Sequence, residues 1–207
     1  MNCIPNLKIV VVILLMCSSC SKTLDVVDST LTPPNDVTPI LPTGPSFTNY
    51  TLKKGFHFAD LNIYQAVNYT EQTFIVVFDS SAIYKTIDPA NQDDINKLYG
   101  FADNDTTHQA FSARFGWNWL NDALWLYAYV YNNGMLQPIE LTKIPLNKEV
   151  NCSIKVNTSN YVFTVDGTSV AVLRTSKMPT AKGYKLYPYF GGDETAPHDI
   201  KIKIREL

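Results

Sequence analysis

The segment from Phe111 to Gly134 constrains the fold more than any other part of this chain. In it, apolar residues alternate with other residues over two stretches, which are separated by Leu120-Asn121-Asp122-Ala123. Alternation with a period of two is typical of strands that bury one face, so the segment predicts two strands joined by a turn. The apolar faces consist of Phe111, Ala113, Phe115, Trp117 and Trp119 in the first strand and Leu124, Leu126, Ala128 and Val130 in the second.

The opposite face of the same two strands combines a cation and an amide with four aromatic rings. Its members are Arg114, Asn118, Trp125, Tyr127, Tyr129 and Tyr131. Aromatic rings stack on the C–H faces of sugars, and Arg and Asn bond to hydroxyls, so this face is predicted to bind polysaccharide. The alternative is that the tyrosine face is core and that Trp117 and Trp119 are exposed. Arg114 favours the first arrangement, because an unpaired buried charge is costly.

The N-terminus is predicted to be a targeting segment, with a signal peptide over residues 1–19. Lys8 precedes the apolar run from Ile9 to Met16, which is too short to span a bilayer as a helix. The following Cys17-Ser18-Ser19-Cys20 resembles the lipobox of bacterial lipoproteins, which implies cleavage before Cys20 and lipidation of Cys20. That resemblance implies a lipid-anchored protein of the bacterial envelope, at the outer membrane. The alternative is an ordinary secretory signal that is cut after Ser19.

Two further regions follow the signal peptide. Residues 20–45 contain repeated prolines among Thr, Ser and Asp, so they are predicted to be an extended tether behind the lipid anchor. Residues 46–207 are long enough to form one domain with a two-layer core. The formal net charge of the chain is −2, which excludes the strongly basic surface that nucleic-acid binding requires. The predicted partners are therefore a polysaccharide and, through the anchor, a membrane.

Eleven strands are predicted in this domain, and turn signals such as Asp166-Gly167 separate several of them. They lie near residues 47–52, 55–68, 72–79, 110–119, 124–132, 138–143, 150–157, 160–166, 169–174, 183–190 and 198–206. One short helix is predicted after Asp88-Pro89, with Ile95, Leu98 and Tyr99 on one face. The predicted fold class is thus all-β, a two-sheet antiparallel β-sandwich or jelly roll with one short helix.

Three segments carry a family resemblance, namely GWNW with LWLYAYVYNNG, NCSIKVNTSNYVFTVDG, and YKLYPYFGGDETAPHDIKIKI. Together they resemble the concanavalin A-like jelly rolls over roughly the last hundred residues. The middle segment has the hallmark of a strand that ends in Asp166-Gly167 and is followed by a second strand. The resemblance implies kinship with lectins, glycan-binding modules, glycoside hydrolases and polysaccharide lyases, whose ligands lie across the concave sheet.

A hydrolase, a lyase and a non-catalytic binding module each require different residues. The Glu-x-Asp-x-x-Glu motif of the retaining glucanases in this superfamily is missing, which disfavours a hydrolase. A lyase for uronic-acid glycans needs a group that neutralises a carboxylate, for which Arg114 or Asn118 is suited, and a base, for which Tyr127, Tyr129 or His57 is suited. Non-catalytic glycan binding requires less and is the preferred prediction. A lyase is the second, and a structural or adhesion lipoprotein without a glycan ligand is the third.

Two predictions concern the C-terminal region. Asp193, Glu194 and Asp199 lie close together in sequence and are weak candidates for a calcium site, since calcium prefers several oxygen ligands; otherwise no cofactor is predicted. The alternative is that these acidic side chains are only solvated. His198 is in phase with Ile200 and Ile202, so it is predicted to be a hydrogen-bonded, partly buried histidine rather than a catalytic one.

Overall fold

Twelve strands account for most of residues 45–207, which are the residues that the computed structural model describes. They are β1 (Thr48–Leu52), β2 (Ala66–Tyr69), β3 (Glu71–Phe78), β4 (Asn96–Ala102), β5 (Phe111–Leu120), β6 (Ala123–Asn132), β7 (Met135–Ile144), β8 (Val150–Val156), β9 (Asn160–Val165), β10 (Thr168–Leu173), β11 (Ala181–Leu186) and β12 (Ile200–Glu206). Two 3-10 turns, Ser80–Ala82 and Pro89–Asn91, interrupt the chain between β3 and β4.

The strands form two antiparallel sheets of six. Sheet 1 has the order β1-β12-β3-β8-β9-β10, and sheet 2 has the order β2-β11-β4-β5-β6-β7. This arrangement is a jelly-roll sandwich, and it confirms the predicted all-β fold class. The predicted signal peptide, the lipidation site Cys20 and the tether up to residue 44 lie outside the described residues. Within residues 45–207, no helix is long and apolar enough to cross a membrane.

The core lies between the two sheets, and it contains the apolar faces that the alternation predicts. Phe115 and Trp117 are fully buried, and Phe115 meets Phe74 and Phe163 of sheet 1 at ring-centroid distances of 5.6 and 5.1 Å. Trp117 meets Phe78 at 5.1 Å. The opposite face of these two strands is packed in the core, so Arg114 and the tyrosines lie on the outer side, as predicted. The prediction that this outer side is open to solvent is wrong for much of it, because Arg114, Tyr127 and Tyr129 are each at most 9% exposed.

Tight turns fix the register of the neighbouring strands. Asn121 and Asp122 have φ angles of 51° and 56° between β5 and β6, and Asn133 and Gly134 have 53° and 80° between β6 and β7. Two consecutive residues with positive φ define the hairpin turn that matches the natural twist of paired strands, and Asn, Asp and Gly tolerate it best. The first of these turns therefore keeps one face of β5 and β6 in the core, whereas β7 contributes to the core mainly at its end, through Ile144.

The predicted helix after Asp88 is wrong. The Asp88 side chain caps only the 3-10 turn, accepting a hydrogen bond from the Ala90 N–H at 2.9 Å, and the chain then enters β4. The register of β4 against β5 shifts between Lys97 and Gly100. At this bulge Leu98 and Tyr99 are both buried, so the apolar spacing imitates that of a helix.

The long strand predicted over 55–68 is also wrong. Gly55 has a φ of 81° and turns the chain away from β1. The following residues form only isolated bridges, at Phe58 and Ala59, and regular pairing begins at β2. Residues 56–65 instead cross the edge of sheet 2 as an irregular segment.

Candidate functional site

A cleft with a volume of about 720 Å³ opens on the outer face of sheet 2. Its floor consists of side chains from β4, β5 and β6, namely Lys97, Arg114, Tyr129 and Tyr131. Residues 184–189 line one side, and Phe58 and residues 62–64 form a wall beyond them. None of the residues that line the cleft is an Asp or a Glu. The cleft therefore combines cations and tyrosines without acidic side chains.

Arg114 lies in the cleft floor with only 8% of its surface exposed. Its Nε is buried without a hydrogen-bond partner, and none of the ion pairs formed within residues 45–207 includes it. Its guanidinium carbon lies 5.4 Å from the ring centroid of Tyr129. Burial lowers the pKa of Arg114 to about 10, although the neighbouring tyrosines act in the opposite direction. Arg114 is therefore a cation at neutral pH that lacks a counter-charge from the described residues.

Lys97 brings a second cation to the same ring. Its Nζ lies 5.0 Å from the centroid of Tyr129. Burial, followed by the charge of Arg114, lowers the pKa of Lys97 to about 8, while Asp94 acts to raise it. Two glycines lie beside these residues. A Cβ on Gly100 would overlap the Ala113 carbonyl and the start of the Arg114 side chain, so Gly100 allows the close approach of β4 and β5, and a Cβ on Gly191 would overlap the Ile95 carbonyl and the Lys97 Nζ.

His108 and Tyr184 form a hydrogen-bonded pair at the side of the cleft. His108 lies in the loop between β4 and β5, and Tyr184 lies on β11. The His108 Nδ1 is 2.8 Å from the Tyr184 Oη, and the His108 backbone N–H donates to the same oxygen at 3.1 Å. Burial and the charge of Arg114 lower the pKa of His108, so its imidazole is neutral at pH 7. A neutral imidazole can accept a proton.

The structure brings together three of the six predicted ligand-binding residues. Arg114, Tyr129 and Tyr131 line the cleft. Asn118 and Tyr127 do not, because the Asn118 Nδ2 donates to the Asp93 carbonyl at 3.1 Å and the Tyr127 hydroxyl donates to the Asn118 Oδ1 at 3.2 Å. The segment around Asp93 thus covers their half of the face.

Two further predicted residues also lie outside the cleft lining. The indole N–H of Trp125 donates to the Leu120 carbonyl at 3.1 Å, and the Lys143 Nζ lies 4.6 Å from its ring. His57, a predicted base, has its Nδ1 2.8 Å from the Phe190 carbonyl oxygen. Its ring stacks on that of Tyr189, which lines the cleft, with a centroid distance of 5.2 Å.

Sequence reasoning missed the other cleft residues, among them Phe58, Tyr64, Lys97, His108, Tyr184 and Tyr189. They come from two loops, from β4 and from the β11 region, and no local pattern connects them. Tyr184 and Tyr189 do lie in the segment YKLYPYFGG, on which the family resemblance depends in part. This segment is the only sequence feature that points to any of these residues, and it indicates the fold rather than the site.

Two of the three acidic residues of the predicted calcium site, Glu194 and Asp199, are bonded to other groups of the protein. Glu194 accepts hydrogen bonds from the backbone N–H groups of Ile87 and Asp88, both at 2.7 Å, and these bonds lower its pKa. Asp199 accepts from the Lys54 N–H at 2.9 Å and pairs with the Lys53 Nζ at 3.2 Å. Among residues 45–207, no cluster of three or more His, Cys, Asp or Glu side chains has the arrangement of a metal site.

His198 has the role that its sequence position predicts. It is partly buried, and its Nε2 lies 2.8 Å from the Ser81 carbonyl oxygen. This contact connects the loop before β12 to the first 3-10 turn. The prediction of a hydrogen-bonded structural histidine is confirmed.

Comparison with known proteins gives similarity in structure only. No protein-family model matches the chain. No curated protein matches it in sequence. Among solved structures, alginate lyase AlyC3 is similar with a TM-score of 0.53 and 13% identity, covering 78% of this chain and 74% of that chain. Alginate lyase vAL-1 from Chlorella virus is similar with a TM-score of 0.50 and 11% identity, covering 79% and 84%. At these identities the similarity shows the fold.

Proposed function

We propose that this protein binds an acidic polysaccharide, of the uronic-acid class, in the cleft of sheet 2. One observation carries the proposal: Arg114 is a buried cation in the floor of an open cleft, and no carboxylate of residues 45–207 pairs with it. A buried charge without a partner is strongly unfavourable, so a site that retains one is suited to a ligand that brings the opposite charge. The shared fold with two alginate lyases supports a polysaccharide as that ligand.

The remaining groups of the cleft fit the same ligand. The planar guanidinium of Arg114 suits a carboxylate, to which it can donate two parallel hydrogen bonds, and Lys97 adds a second charge. Tyr129, Tyr131 and Tyr189 present aromatic rings to the same cavity, and such rings pack on the C–H faces of sugars. The volume lies within the range of about 300–1,000 Å³ that is common for ligand sites. In this proposal the predicted lipid on Cys20 holds the cleft at the cell envelope.

A polysaccharide lyase is the second candidate, and the His108–Tyr184 pair favours it. In that reaction Arg114 would neutralise the uronate carboxylate and so acidify the neighbouring C–H group. The neutral imidazole of His108 would take that proton, and a C–C double bond would form as the C–O bond to the glycosidic oxygen breaks. The Tyr184 hydroxyl would donate a proton to the departing oxygen and recover one from His108, with which it is hydrogen-bonded. Tyr129 is not suited to this role, because burial raises its pKa to about 12.

One pair of assays tests both candidates. We expect saturable binding of a polyuronate such as alginate, and weaker binding at high salt because the attraction is partly electrostatic. A neutral mannan of similar length, the matched control, should not bind. Ultraviolet absorbance of unsaturated uronide measures cleavage in the same samples. Binding without formation of unsaturated uronide supports a binding module. Formation of unsaturated uronide supports the lyase instead. If neither polymer binds, the proposal is wrong and a structural role takes its place.

Affinity for the polyuronate should fall above about pH 8. Protonated Lys97 attracts the carboxylates, and its pKa of about 8 means that the free protein loses this charge as the pH rises. Between about pH 7 and about pH 9, the dissociation constant should increase by about tenfold through linkage to this one proton. His108 does not titrate in this range, because its pKa is lowered.

Calorimetric titrations at the two pH values measure this dependence. Lys97→Gln should bind more weakly at pH 7 and lose the dependence, whereas Lys97→Arg should keep the affinity constant across the range. Retention of the full pH effect in Lys97→Gln would contradict the assignment to Lys97.

A further inference from the structure

We propose that Tyr64, supported by Tyr184, forms a second sugar subsite that stacks on the residue adjacent to the one held by Arg114. The ligand would then be an oligosaccharide of at least two sugar rings, bound by its charge at Arg114 and by an apolar ring face at Tyr64. This inference rests on the proposed function and adds the length and the second recognition element of the ligand.

The exposure of Tyr64 is the first observation. Its side chain is 76% exposed, and the neighbouring Ile63 is 70% exposed, yet both face the cavity that contains Arg114. Large side chains of this kind contribute little to folding when they remain in water. Exposed apolar groups that gather at the rim of a cleft are typical of ligand-binding surfaces.

The ring of Tyr64 rests on a fixed support. Its centroid lies 5.8 Å from that of Tyr184, with an angle of 32° between the planes. The Tyr184 hydroxyl is held in turn by two contacts with His108. The wall segment is also attached on either side of Tyr64, because the Ala59 N–H donates to the Pro188 carbonyl at 3.2 Å and the Lys185 N–H donates to the Gln65 carbonyl at 2.9 Å.

The chemistry of this corner differs from that of the floor. Arg114 and Lys97 place two cations 5.4 and 5.0 Å from the centroid of the Tyr129 ring, whereas Tyr64 offers a ring face and one hydroxyl. A ring face recognises the C–H surface of a pyranose and does not depend on its charge. The two parts of the cleft therefore suit successive sugar residues of one polysaccharide chain. The first sugar would be recognised by its carboxylate and the second by its ring face.

Chain-length dependence tests the inference. Binding of a uronic-acid tetramer is measured directly, and binding of the monomer is measured by competition against it. Tyr64→Ala should weaken tetramer binding by about five- to tenfold, the effect of losing one aromatic contact, and leave monomer binding unchanged. Tyr64→Phe should behave like the unaltered protein, and Tyr64→Leu should behave like Tyr64→Ala, because the ring and not its hydrophobicity is required.

Ile87→Ala is the matched control, since Ile87 is 92% exposed and does not line the cleft. It should leave both affinities unchanged. Equal tetramer affinity for Tyr64→Ala and the unaltered protein overturns the subsite alone, as does an equal loss for monomer and tetramer. Absence of tetramer binding by the unaltered protein overturns the proposed function together with the subsite. Thermal unfolding of each variant verifies that the fold is retained.

Discussion

Arg114→Met is expected to weaken binding of acidic polysaccharide by about 30-fold or more, from a cost of about 2 kcal/mol or more, while the protein remains at least as stable as before. Truncating one member of a buried pair of opposite charges in a complex costs about 2–5 kcal/mol of binding free energy. This cost corresponds to a loss of about 30-fold or more in affinity. The cost arises because the carboxylate of the ligand would then enter the cleft without the cation that replaces its water. We expect this loss at neutral pH even though Lys97 is still present.

The effect on stability should have the opposite sign. In the unliganded protein, the charge of Arg114 is desolvated and has no acidic partner among residues 45–207. Met has a similar length and no charge, so the substitution removes a desolvation cost and keeps most of the packing. The free energy of unfolding should therefore stay equal or rise. A cation retained at the expense of stability indicates a functional site.

Calorimetric titration and urea unfolding measure the two effects on the same sample. Arg205→Met is the matched control. Arg205 lies on β12, pairs with Glu149 at 2.9 Å, and does not line the cleft. It should leave the affinity unchanged. Normal binding by Arg114→Met would contradict the proposed role of this residue, and marked destabilisation would show that Arg114 is instead part of the framework.

Asp103→Ala is expected to produce the largest loss of stability. Asp103 and Arg174 have fully buried side chains, and the Arg174 Nε lies 2.8 Å from the Asp103 Oδ2. The Tyr161 hydroxyl donates to the same oxygen at 2.6 Å, and the Ser176 hydroxyl donates to Oδ1 at 3.2 Å. The network joins the end of β4 in sheet 2 to β9 and the end of β10 in sheet 1.

The size of the loss follows from what remains after the substitution. Without Asp103, the guanidinium of Arg174 is buried and unpaired, and breaking a buried ion pair in this way costs about 3–5 kcal/mol. Asp103→Leu combined with Arg174→Met should recover much of this loss, since it leaves no buried charge. Urea denaturation measures each free energy of unfolding.

The exposed pair of Asp105 and Lys182 supplies the control. Its Nζ–Oδ2 distance of 2.7 Å is slightly shorter than that of the buried pair, but both side chains are at least half exposed. Asp105→Asn removes the charge and keeps a residue type that tolerates the φ of 53° at this position. It should cost less than about 1 kcal/mol, because solvent already stabilises both charges. Equal losses for Asp103→Ala and Asp105→Asn would contradict the argument that burial sets the magnitude.

Local patterns in the sequence predicted the strands and the outer face of sheet 2. The alternation in β5 and β6 depends only on the period of an extended chain, and the turns at Asn121-Asp122 and Asn133-Gly134 depend only on which residues tolerate positive φ. Arg114 identified the outer face correctly, because a cation is costly between two apolar sheets. These features can be read from neighbouring residues.

The errors came from places where tertiary contacts determine the local conformation. The register shift in β4 lets the consecutive residues Leu98 and Tyr99 both join the core, where Tyr99 packs against Phe74 of sheet 1. No pairing partner is visible in the sequence, so the same spacing predicts a helix. Asn118 and Tyr127 have the correct residue types and lie on the correct face, but the segment around Asp93 covers them. Their coverage depends on a loop that precedes β4.

The sequence by itself determined the sandwich, most of its strands and the side of sheet 2 on which Arg114 lies, because the period of two and the cost of placing a charge between the sheets both act within one strand. Only the tertiary structure decided which side chains share the cleft. Tyr64, Lys97, His108 and Tyr184 come from separate parts of the chain, and they share the cleft with Arg114 because antiparallel pairing places β4 beside β5 and β11 beside β4. The charge imbalance of the cleft also belongs to the tertiary structure, since it depends on which acidic side chains the fold directs elsewhere.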